Sequence, residues 1–103
     1  MAVIKATDIL SQVARAKARV AYMDEYFPAQ IALAGEFTEQ KLQLSLAHSI
    51  QLSAIARDLK EFVRKLPAPV QNKQAKACET ALAYAKTVET VHVSACYNWM
   101  PKK

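Results

Sequence analysis

Residues 42–66 read LQLSLAHSIQLSAIARDLKEFVRKL, and the two halves of this stretch follow different rules. In the second half Leu52, Ile55, Leu59, Phe62, Val63 and Leu66 recur every three or four residues, the spacing of one helical face. Arg57, Lys60, Glu61, Arg64 and Lys65 take the other side. In the first half Leu42, Leu46 and Ile50 form a row roughly opposite that stripe on a helical wheel, and only Leu44 joins the later face. Two readings follow. Either the segment PAQIALAG (28–35) covers the row through Ile31 and Leu33, or the row is an exposed apolar patch of the kind that marks a protein interface.

Outward from this segment the pattern stays helical. Thr7 is a good helix N-cap, and Asp8 in the first turn complements the helix dipole. Ile9, Val13, Ala16, Val20, Met23 and Phe27 then line one face, widened by Leu10, Ala14 and Ala21. Pro28 interrupts this helix, so residues 28–35 read as a short separate helix capped by Gly35. Thr38 is the expected cap of the second helix. "LPAPVQN" (66–72) ends that helix and opens a third, in which Cys78, Ala81, Leu82, Ala85, Val88, Val91, Ala95 and Cys96 share a face. Short connections between long helices imply antiparallel neighbours. The expected fold is all-α: an up-down-up three-helix bundle forming one domain over 1–103. Its helices run over about 7–27, 38–66 and 69–97, with the extra segment 28–35.

Composition agrees. The chain has 103 residues, 19 alanines, four prolines and a single glycine. A β-sandwich of this length needs many tight turns rich in Gly, Asn, Asp and Pro, which are scarce here. A chain this short buries roughly 60–70% of its unfolded surface, enough for one modest core. No apolar run approaches the ~20 residues that span a bilayer. The start, MAVIKATDIL, lacks the apolar core of a signal peptide, so a cytoplasmic location is expected and no membrane partner. Cys78 and Cys96 are too few for a disulfide framework, and about 1.5 Å of rise per residue sets them roughly 27 Å apart on one helix.

Net charge is +5, from 14 Lys and Arg against nine acids, which favours an acidic partner. ARAKAR (14–19) carries Arg15 and Arg19 on one ridge, with Lys17 pointing away. Arg57, Lys60 and Arg64 form a second basic patch, with Asp58 and Glu61 among them. These six cations are the nucleic-acid alternative, but the helices are too long for a helix-turn-helix reader, and a plain solvated face explains both patches better. His48, His92 and Cys96 converge if helices 2 and 3 pair through the proline connection with His48 level with Val88. No CxxC, HExxH or carboxylate partner completes a metal site, so no metal or cofactor is expected. One glycine allows no phosphate loop, and no orienting group completes a Cys–His pair, so no enzyme and no small-molecule substrate are expected.

The function expected is that of a small non-enzymatic protein that binds another protein, as an adaptor, regulator or stoichiometric inhibitor, with a homodimer included. Leu42, Leu46 and Ile50 are the apolar anchors, and Arg15, Arg19, Tyr22 and Tyr26 form the rim beside them.

Overall fold

The computed structural model describes residues 4–100, and every regular element among them is helical. Helix α1 spans Ala6–Ala34, α2 spans Thr38–Arg64, α3 spans Ala68–Lys73 and α4 spans Ala75–Thr87. A π-helical turn, Val88–His92, follows α4 directly and leads into a last α turn, α5, Val93–Ala95. The first three and last three residues, including Pro101 and the tail lysines, lie outside the description. Helices α1, α2 and α4 each pack on the other two, and the molecule extends 54 × 25 × 15 Å. Among the described residues no helix is long and apolar enough to cross a membrane.

The core follows the expected periodicity. Ile9, Val13, Ala16 and Val20 of α1 meet Leu52, Ile55, Ala56, Leu59 and Val63 of α2. Ala77, Cys78, Ala81, Ala85 and Val88 complete it, with alanines giving the third helix a close approach. Several residues assigned to these faces are exposed instead: Leu10, Ala14 and Ala21 on α1, and Leu82, Val91 and Ala95 toward the C-terminus. The buried stripe on α1 is narrower than the sequence pattern, since that helix has only two neighbours to meet.

Pro28 does not end the first helix. It lies inside α1, which continues to Ala34. A proline there cannot donate to the carbonyl of Asp24, and its ring crowds that carbonyl, at a cost of about 3 kcal/mol. Burial of Ile31 and Ala34 beyond it offsets this, a buried isoleucine being worth about 1.5–3 kcal/mol. Gly35 then stops the helix at φ 60°, its N–H donating to the Ala32 carbonyl at 3.3 Å. The caps also differ from expectation. Lys5, not Thr7, precedes the first turn, and its N–H donates to Asp8 Oδ2 at 2.7 Å. Phe37, not Thr38, precedes α2.

The third helix is not continuous. Pro67 opens α3, and Gln74 (φ −108°, ψ 34°) breaks the chain before α4. Gln71 Nε2 donates to the Leu66 and Arg64 carbonyls at 2.7 and 3.3 Å, closing the C-terminus of α2. The π turn falls where β-branched residues crowd: Thr87, Val88, Thr90, Val91 and Val93. There the hydroxyls of Thr87, Thr90 and Ser94 donate to the carbonyls of Ala83, Lys86 and Thr90 at 2.9–3.1 Å, competing with the backbone ladder. Residues 67–74 are thus spent on a turn-like corner, and the register between helices shifts. Lys60 Nζ meets Glu89 at 2.6 Å, and Ser49 Oγ meets the Tyr97 hydroxyl at 3.4 Å. His48 therefore faces the region of Tyr97 rather than Val88.

Pro28→Ala restores a backbone hydrogen bond without emptying the core. Thermal unfolding followed by circular dichroism is expected to show a gain of about 1–3 kcal/mol. A loss instead would mean that the proline ring itself packs a required contact.

Candidate functional site

The first half of α2 is inverted: its inward residues are polar and its outward residues apolar. Ser45, His48 and Ser49 are buried, whereas Leu42, Leu46 and Ile50 are 40%, 54% and 58% exposed. The buried polar groups all find partners. Asp24 of α1 places Oδ1 3.0 Å from His48 Nε2 and Oδ2 2.8 Å from His92 Nδ1. One carboxylate thus joins α1 to α2 and to the π turn. Phe27 stacks on the His48 ring, centroids 4.8 Å apart and planes 14° from parallel. The Trp99 indole N–H donates to Ser45 Oγ, and Ser49 Oγ donates to the Leu46 carbonyl at 2.8 Å.

His48, His92 and Cys96 do come together, but around the carboxylate that the sequence did not supply. Asp24 stands beside Glu25 in sequence and gave no signal of pairing with histidines on other helices. Among the described residues no group of three His, Cys, Asp or Glu is arranged to hold a metal ion. The nucleophile-type side chains beside the cluster are engaged elsewhere. Cys96 Sγ donates to the His92 carbonyl at 3.4 Å, and burial, with the charge of Asp24 second, pushes its thiol up to about 11. The same two causes raise the Tyr84 phenol, which lies under Lys17 at 5.4 Å from the ring centroid. The arrangement fixes three helices to one another and activates no thiolate.

Beside this joint lies a groove of about 420 Å³, a concavity the sequence did not foretell. Pro28, Ile31 and Ala32 of α1 form one wall, and Ala95, Cys96 and Trp99 form the other. Lys41, His48 and Asn98 are its polar lining. Lys41 Nζ sits 5.5 Å from the centre of the Trp99 ring.

The surface residues singled out from sequence fall on separate faces. Residues 28–35 do not cover the leucine row: Ile31 is buried and Leu33 is 79% exposed. Phe37, missed in the sequence, precedes the first turn of α2 and is 71% exposed. Tyr22 and Tyr26 are exposed and stacked, centroids 5.9 Å apart. They do not border the leucine row as expected. Helix α1 docks on the His48 side of α2, and Arg15 and Arg19 line a cleft with Asp58 and Phe62. Ile50 lies instead with Ser49, Ser53, Ala54 and Arg57. The six cations are divided likewise. Lys17 turns to Tyr84, Lys60 pairs with Glu89, and Arg64 Nη2 lies 3.7 Å from Glu61.

Set against known families, curated proteins and solved structures, the chain matches none.

Asp24→Ala removes both imidazole contacts at once. A loss of about 1–3 kcal/mol in urea unfolding is expected. Adding His92→Ala to that variant is expected to cost less than the same change in the parent protein, because the shared bond is already gone. Strict additivity would show that the joint is not coupled. Neither cysteine is expected to react with Ellman's reagent at pH 8 in the native protein, and both are expected to react in guanidinium.

Proposed function

We propose that this chain is a small non-enzymatic protein, an up-down-up three-helix bundle, that acts by binding another protein through the outer face of α2. The observation that carries this reading is the exposed row Leu42, Leu46 and Ile50. Such a row on an otherwise charged helix is costly to leave in water and marks a contact surface.

The sequence of this face is matched to a second copy of itself. Glu39, Gln43, Leu46, Ile50, Ser53 and Arg57 are spaced alternately four and three apart, the spacing of a coiled-coil seam, with Leu46 and Ile50 as its apolar centre and polar residues at both ends. Laid antiparallel on its own copy about a twofold axis level with residue 48, the seam sets Leu46 against Ile50, and beside the seam Leu42 meets Ala54. The same axis sets Glu39 against Arg57 at both ends. Both charges are exposed, and neither forms an ion pair among the described residues. A self-complementary patch of this kind gives a closed twofold dimer.

Light scattering of the wild-type chain at tens of micromolar is expected to give twice the chain mass, and Leu46→Asp to give the monomer. Arg57→Glu is expected to weaken the dimer by about 1 kcal/mol per ion pair at low salt, and Glu39→Arg in the same chain to restore it. A wild-type monomer at all concentrations would refute the self-pairing.

A further inference from the structure

We propose that the groove between α1, the first half of α2 and the C-terminal segment binds a small amphipathic monocarboxylate. Its carboxylate pairs with Lys41, and its hydrocarbon chain lies between the Pro28–Ile31–Ala32 wall and Trp99. This site is separate from the outer face of α2 and does not depend on the dimer.

Size and lining support it. A volume of about 420 Å³ lies within the usual range of small-molecule sites, which are mostly apolar with a few converging polar groups. Pro28 contributes an apolar ring and no N–H, so the α1 wall has no donor at that position. The charge of the groove is one-sided. Lys41 is its lysine, it forms no ion pair among the described residues, and no acid lines the groove. Asp24, the acid behind His48, has both oxygens committed to imidazoles. Lys41 also stands in the first turns of α2, where the helix dipole favours an anion. Lys41 Nζ lies over the Trp99 ring, 5.5 Å from its centroid, so the cation and the apolar wall stand side by side in the groove.

His48 supplies the second polar group. It is only 4% exposed, and its Nε2 is held by Asp24. Its ring lines the groove beside Lys41 and Asn98. The Cys96 thiol on the opposite wall is 3% exposed and donates to the His92 carbonyl, so the ligand is held reversibly and forms no covalent bond.

Trp99 is the sole tryptophan of the chain, so its emission reports on the groove. Octanoate and 1-octanol, which do not absorb where tryptophan does, are the probes. Octanoate is expected to change the emission saturably, with 1-octanol roughly tenfold weaker. Lys41→Met, which keeps the apolar stem, is expected to weaken octanoate roughly tenfold while leaving 1-octanol unchanged. Leu46→Asp is expected to bind octanoate as the parent does. The proposal is overturned by an absence of saturable change, by equal binding of the alcohol, by an unaffected Lys41→Met, or by loss of binding in Leu46→Asp, which would place the acid on the exposed row instead.

Discussion

Both oxygens of the Asp24 carboxylate are held by imidazoles from two other parts of the chain, and the first half of α2 is organised around that contact. An acid placed between helices must be compensated, since an unpaired charge there is costly. Two histidines compensate it here, one buried and one half-buried. Each must come from a fixed height on its own helix, so the contact sets the register of all three. The 3.0 and 2.8 Å distances leave little freedom to slide. Asp24 keeps about a third of its surface in water, so the joint contributes more to register than to stability.

That joint accounts for the inversion in α2. Where His48, Ser45 and Ser49 are needed inside, the leucines of the same turns have only the outer face left. Past Leu52 the core returns to aliphatic packing, and the outer face returns to charge. The π turn serves the same end from the other side. It brings His92 to Asp24 at the cost of exposing Val91, and it sits where threonine hydroxyls already compete for backbone carbonyls. Wide turns of this sort recur at functional positions, and here the turn supplies one of the two imidazoles that hold the carboxylate.

The helical class, the three long amphipathic segments and most of the core were legible in residue spacing. So was the anomaly of Leu42, Leu46 and Ile50, although whether residues 28–35 covered them was not. The continuity of α1 through Pro28 was illegible, because local propensity argues for a break and only the distant packing of Ile31 and Ala34 overrides it. The division of the third helix was missed because Gln74, where it breaks, is an ordinary helix former with no glycine or proline beside it. The leucine row and the tyrosines were joined in the sequence reading, though they lie on opposite flanks of α2. A helical wheel gives angles around one axis and says nothing of which neighbour occupies each side.

By itself the sequence determined what repeats locally: helices at a period near 3.6, a glycine stop at residue 35, and a polar-in, apolar-out fault in one half of α2. The tertiary structure alone decided what meets across helices: Asp24 between two histidines, Lys41 on Trp99, and a groove walled by α1 and the C-terminal turn. Periodicity is a property of neighbours along a chain and survives in the letters. Register between helices depends on where the chain turns back; Pro67 and Pro69 marked the start of the corner in the sequence, but nothing there showed that it extends to Gln74 and moves the register by several residues.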